Sequence, residues 1–138
     1  MNEYTYDDLN IGMSHFFSRK IEKKDLDSFS KLTGDINPLH MDENYSENTI
    51  FGKRVGHGLL LTSFLSTLCG VFLPGKYSLI LKVDINMKKP FFIGDTVKIE
   101  GKIIKKVDPL KIIVLETRIT NVKNTILQEG TIHVKVLR

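Results

Sequence analysis

A single cysteine, Cys69, stands in the 138 residues, so no intramolecular disulfide can form. Its place inside an apolar run reads as a buried, unreactive thiol, and such usage fits a reducing, intracellular compartment. No apolar run is long enough to cross a membrane. The longest, Leu59 to Leu73, is broken by Thr62, Ser63, Ser66 and Thr67 and falls short of the roughly 20 residues a span needs. The stretch from Met1 to Asn10 is polar and acidic, unlike a signal peptide, which opens on a basic segment and an apolar one. These absences predict a soluble, cytoplasmic protein with no membrane partner. There is no internal repeat, low-complexity tract or linker, so residues 1–138 are expected to form one domain.

Nor is there a strong charge of one sign. Twenty Lys and Arg against sixteen Asp and Glu give a net charge of +4 and a pI near 9.1. The lysines are scattered, as at Lys102, Lys105, Lys106, Lys111, Lys123 and Lys135. No basic stripe interleaves with aromatics, so nucleic acid is not an expected partner. The excess charge reads as a solvated lysine surface, or as a modest attraction for a small polyanion such as a nucleotide-bearing cofactor.

What is present sorts into two halves. Met13 to Ile21 reads as a strand. Leu26, Phe29 and Leu32 recur at helical spacing over Asp25 to Leu32, and Gly34 ends that helix. Asp42 to Glu47 reads as a short helical turn. A second helix opens at His57-Gly58 and reaches roughly Val71, apolar almost all round through Leu59, Leu60, Leu61, Phe64, Leu65 and Leu68, hence buried on most faces. Pro74-Gly75 ends it. The remainder is strand. Leu79, Leu81, Val83, Ile85 and Met87 alternate with polar residues. Val97, Ile99 and Ile103, then Ile113, Leu115, Thr117 and Ile119, then Ile132, Val134 and Val136 mark three more strands. Four consecutive strands after one buried helix predict an α+β fold in which an antiparallel meander wraps the helix. Its free edges call for cover, so a homodimer joined edge to edge is expected.

The densest chemistry lies in Thr33-Gly34-Asp35-Ile36-Asn37-Pro38-Leu39-His40. Pro38 lacks an N–H and disfavours the helical region for Asn37, so the run reads as a stiff loop. It fixes an acid and a base five residues apart, which is enough to hold and polarise a water molecule. Each residue alone also has a plainer reading. Asp35 after Gly34 is what a turn uses, a lone histidine is commonly packed or exposed, and Ser66 on an apolar helix can bond back to its own backbone. His15 and His133 lie in strand-like stretches without partners in sequence. No cluster of His, Cys, Asp and Glu has metal-ligand spacing, so no metal is expected.

Leu32-Thr33-Gly34-Asp35-x-Asn37-Pro38-Leu39-His40, five further residues and then Ser46 resemble the hydratase 2 motif of the MaoC-like, (R)-specific enoyl-CoA hydratases. The resemblance continues in His57-Gly58-Leu59-Leu60, in Lys89-Pro90-Phe91-Phe92-Ile93-Gly94-Asp95-Thr96-Val97 and in Asp7-Asp8-Leu9-Asn10-Ile11-Gly12, and so covers nearly the whole chain. It implies a hot-dog fold, usually dimeric, with a sheet wrapped around the Gly58–Val71 helix. The implied substrate is a trans-2-enoyl thioester of coenzyme A and the implied product a (3R)-3-hydroxyacyl-CoA. Coenzyme A is then part of the substrate, and no separate cofactor is implied. By the same resemblance Asp35 and His40 match the catalytic pair and Asn37 orients their loop. Gly58 matches the helix-start residue whose N–H faces the thioester oxygen, and Ser66 matches a helix serine lining the site. His57 reads as a supporting residue at the helix entry, its ring bonded to the loop.

Three alternatives are to be weighed. Hot-dog thioesterases and 3-hydroxyacyl-carrier-protein dehydratases commonly carry a carboxylate on or beside the central helix, and Val55 to Leu73 holds no Asp or Glu. A non-catalytic acyl-CoA sensor or partner subunit often loses the acid or the base, and both are kept here.

Overall fold

The computed structural model describes residues 1–138. Strand β1 (Ser14–Lys20) leads to helix α1 (Lys23–Thr33), two short helices α2 (Pro38–Met41) and α3 (Glu43–Glu47), and the central helix α4 (Gly58–Thr67). A π-helical turn, Leu68–Phe72, prolongs α4. Strands β2 (Ser78–Met87), β3 (Thr96–Val107), β4 (Ile112–Asn121) and β5 (Ile126–Val136) complete the chain. All pairings are antiparallel, in the order β1-β3-β4-β5-β2.

That order corrects the expected four-strand meander. β3, β4 and β5 do form one, but β2 pairs with β5. Period-two patterning marks a strand without naming its neighbour. The reason lies in the connection from Lys88 to Asp95, which Pro90 keeps out of the ladder. Lys88 and Lys89 donate to Leu127 O, Gly56 N donates to Phe91 O, and Gly94 N donates to Ile21 O. The chain is thereby carried across the end of the sheet to its far side.

The inner face packs on α4 by burying alternate residues. Ile99, Ile113, Leu115, Ile119, Ile132 and Val134 join Leu61, Leu65 and Leu68 in one buried cluster. Each such side chain contributes about 1.5–3 kcal/mol. Cys69 is buried in the same cluster, and burial pushes its thiol up to about 12, so it stays protonated and inert.

Two readings of apolar residues need correction. α4 is not buried all round: Leu59 is 65% exposed, and Ser63 and Ser66 are exposed with it. In β2 a bulge between Ile80 and Lys82 shifts the phase of the alternation. Ile80, opposite Val134, therefore packs on the core, and Leu79 and Leu81 are exposed. Val83, Ile85 and Met87 lie opposite Ile132, Gly130 and Gln128, on the helix side of the sheet. Even there Val83 stays 47% and Met87 51% exposed.

Candidate active site

The site begins where α1 stops. Gly34 takes the left-handed conformation, φ 80°, which glycine adopts without a steric penalty, and its N–H closes on Ser30 O. The reversal delivers Asp35 into a chain of side-chain-to-backbone bonds. Thr33 Oγ1 accepts from Asp35 N at 3.2 Å, Asp35 Oδ1 accepts from Asn37 N at 3.1 Å, and Asn37 Oδ1 accepts from Leu39 N at 3.0 Å. Asn37 is the N-cap of α2 and Pro38 its first residue. The stiff-loop reading is thus half right. Proline is excluded from a helix interior but suits the first turn, where its missing N–H has no partner to lose. His40 consequently stands on a helical turn.

Four contacts hold that turn in place. His40 Nδ1 lies 2.7 Å from Val55 O. A carbonyl only accepts, so Nδ1 carries a proton, and in the neutral ring Nε2 keeps a lone pair. Arg54, nearly fully buried, donates through Nε to His40 O and through Nη2 to Asp27 Oδ1 at 3.2 Å. Val55 N donates to Leu39 O. The buried Ser46 hydroxyl reaches Asp42 O at 2.6 Å and Leu39 O at 3.0 Å, tying α3 beneath α2.

His57, the N-cap of α4, is only 1% exposed. Its ring lies between Phe29, 5.0 Å away centroid to centroid, and His40, 4.2 Å away. Its Nε2 is 3.3 Å from Asp35 O, which makes Nε2–H the donor. Nδ1 is buried without a partner. Burial holds the ring below the ordinary histidine range; the Asp35 carbonyl bond opposes this, and the nearness of His40 adds to it. His57 is therefore neutral at pH 7.

Asp35, His40 and His57 come from three segments, and one ligand atom of each lies within 4.8 Å of the others. The expectation that no metal-ligand cluster exists rested on linear spacing, which folding overrides. The hydrogen bonding still argues against a cation. Freeing His57 Nε2 to ligate would put a proton on Nδ1, buried with no acceptor.

Beside the triad opens a cleft of about 340 Å³, lined in part by His40, Val55, Gly58, Met87, Phe91 and Gln128. Helix α4 points its N-terminus here. Leu60 and Leu61 N–H bond to His57 O, whereas Gly58 and Leu59 N–H have no acceptor within the chain, as the first residues of a helix do not. A Cβ on Gly58 would sit 2.5 Å from Met87 Sδ, so the missing side chain lets the thioether pack against the start of the helix.

A family model for the MaoC like domain matches residues 10–125. The chain belongs to the MaoC-like family. It is 31% identical over 131 residues to the (R)-specific enoyl-CoA hydratase of Rhodospirillum rubrum, covering 95% of this chain and 90% of that one. It is 32% identical to the 3-hydroxybutyryl-CoA dehydratase of Methylorubrum extorquens, over 71% of this chain but only 62% of that protein's length. The solved structure of an (R)-hydratase from A. caviae involved in PHA biosynthesis superposes with a TM-score of 0.90 at 33% identity, over 93% of this chain and 97% of that one.

In this MaoC-like chain His40 and Gly58 line the cleft, Asp35 and His57 lie beside His40, and Asn37 caps the turn that carries it. Ser66 stands apart from this group. It lies eight residues beyond Gly58, about 12 Å along the helix axis, exposed and outside the cleft. Two contributors escaped the sequence reading. Arg54 grips the His40 carbonyl, and next to Lys53 it reads in sequence as one more surface charge. Gln128 lines the cleft, and the hint was an amide in the register that Ile132, Val134 and Val136 otherwise fill.

Proposed function

We propose that this chain is an (R)-specific enoyl-CoA hydratase, catalysing reversible syn hydration of a trans-2-enoyl-CoA to a (3R)-3-hydroxyacyl-CoA. The observation that carries the reading is the Asp35 carboxylate and a His40 ring nitrogen within 4.8 Å of each other, beside an open helix N-terminus. A water donating both protons at about 2.8 Å needs acceptors about 4.4 Å apart. On this reading Asp35 and the neutral His40 ring, through Nε2, are those two acceptors, with one water between them.

The water oxygen bonds to C3, and the π electron pair moves to C2 and onward to the thioester oxygen. The free Gly58 and Leu59 N–H groups and the positive end of the α4 dipole receive that charge. One proton passes from the water to the Asp35–His40 pair, and one returns from the pair to C2 on the same face. Coenzyme A arrives as part of the substrate, and the reaction as written needs no other cofactor. The relatives named for this reaction, matched over most of their length, support the reading.

The working unit on this reading is a homodimer in a reducing cytoplasm. Support comes from β2, an edge strand whose outer backbone is unpaired and which exposes Leu79, Leu81, Val83 and Met87. A second copy added to this edge would continue the sheet and cover those side chains.

Incubation with crotonyl-CoA and longer trans-2-enoyl-CoA substrates tests the function. Loss of enoyl absorbance without release of free thiol is expected, with a product oxidised by an R-specific 3-hydroxyacyl-CoA dehydrogenase. Thiol release would make the chain a thioesterase. Neither signal would make it a non-catalytic acyl-CoA binder.

A further inference from the structure

Gln128 is out of place by the logic of its strand. Its neighbours on the inner face of β5, Ile132, Val134 and Val136, are apolar and buried, and Gln128 itself is only 2% exposed. Burying an amide without partners costs about 1–3 kcal/mol, so its bonds identify what it is for. Nε2 donates to Gly58 O at 2.8 Å, and Oε1 accepts from Thr62 Oγ1 at 2.7 Å. The Thr62 hydroxyl also lies 3.2 Å from Gly58 O, but it has one proton and the shorter contact takes it. Thr62 thereby orients the amide, and the amide grips the Gly58 carbonyl from the neighbouring strand.

That carbonyl shares a planar peptide unit with the Leu59 N–H. Holding the oxygen fixes the direction in which this N–H points, and it limits the rotation available to the Gly58 N–H just before it. Both N–H groups are free and face the start of the helix. Glycine is the residue least able to hold its own backbone conformation, yet the Met87 thioether packs where a side chain would stand. An anchor from outside the helix supplies the rigidity that glycine lacks. Donation to the carbonyl also polarises the peptide, making its N–H a stronger donor.

We infer that Gln128, oriented by Thr62, is a positioning residue that aims the Gly58 and Leu59 N–H groups at the thioester oxygen; this rests on the hydratase reading. Gln128→Leu keeps the side-chain bulk and removes the anchor. Thr62→Val, close in shape, removes only the orienting hydroxyl and serves where Gln128→Leu folds poorly. Thr62→Ser restores the hydroxyl. With crotonyl-CoA, kcat should fall about 10–100-fold in Gln128→Leu and less in Thr62→Val, with KM within about twofold of wild type. Thr62→Ser should recover most of the rate. The double variant Thr62→Val/Gln128→Leu should be no slower than Gln128→Leu alone. In ¹⁵N NMR the Gly58 and Leu59 amide resonances should be displaced in both single variants.

Wild-type kcat in folded Gln128→Leu, or a double variant whose losses multiply, would overturn the positioning role. A wild-type protein that turns over no enoyl-CoA would overturn the hydratase reading instead. The amide resonances then decide the anchor by themselves: displacement supports it, and unmoved resonances overturn it.

Discussion

His57 lies against His40 with ring centroids 4.2 Å apart and planes 31° from parallel, the first ring buried and the second facing the cleft. Two imidazoles this close repel as cations, so one proton on His40 discourages another on His57. The pair divides the work. His57 stays neutral and braces the Asp35 carbonyl, while His40, its Nδ1–H bonded to Val55 O, keeps Nε2 for proton exchange.

Asp35→Asn and His40→Gln should each lower kcat by about 10²–10⁴, the usual scale of acid–base catalysis. Both side chains are partly exposed, so circular dichroism should report folded protein. Wild-type turnover in either folded variant would remove the pair from the chemistry.

The His57 environment sets a sign for acid sensitivity. Its folded-state pKa lies below the ordinary value near 6.5 that the unfolded chain has. Between those two values the unfolded state binds the extra proton, so stability rises with pH there. The contribution is complete above about pH 6.5 and is lost as pH falls from there toward the depressed folded value. Melting temperature measured from pH 8 to pH 5 should fall on the acid side, and His57→Phe should flatten that part of the curve.

Arg54→Met should release α2 from behind. The variant loses the bonds to His40 O and Asp27, and bonds to charged groups contribute about 1.5–3 kcal/mol each. Denaturant unfolding should show a loss of that order. Turnover of the folded fraction should drop as well, because the lost bond holds the catalytic histidine's own peptide.

Gly58→Ala brings a methyl group against Met87 Sδ. Met87 is flexible and half exposed, so it can move, and the fold should survive. The displaced thioether would intrude on the cleft, and kcat/KM should fall about tenfold or more. Adding Met87→Ala should restore part of the loss. A folded Gly58→Ala at full activity would show that the cleft has room to spare.

Val83→Lys and Leu81→Lys place charge on the bare edge of β2, a means by which edge strands avoid partners. Light scattering of wild type should give twice the 15.7 kDa chain mass, and the variants should shift toward the single chain. A wild-type monomer would refute the edge-to-edge dimer.

Much of this architecture was legible in the residues. Leu26, Phe29 and Leu32 at helical spacing with Gly34 behind them mark α1, and alternating Ile and Val mark β3, β4 and β5. Asp35 and His40 stood out because a carboxylate, an amide, a proline and an imidazole in six positions have few structural uses. Other features depend on long-range packing. Pro38 breaks a helix in one position and starts one in another, and only the Asn37 cap decides which. The partner of β2 follows from the route of residues 88–95. Asp35, His40 and His57 converge across 22 positions, and the Gln128–Gly58 bond spans 70, distances over which local patterning carries no information.

Asp35 spends one carboxylate oxygen on the amide of Asn37, and that bond bears on stereochemistry. A carboxylate free to spin could present water to an alkene from either side and give a mixture of both configurations at C3. With Oδ1 tethered, the carboxylate is held in one orientation, and the water it holds is presented from one direction. On the hydratase reading, the configuration at C3 of the alcohol would then trace back to the handedness of the peptide turn that begins at Gly34.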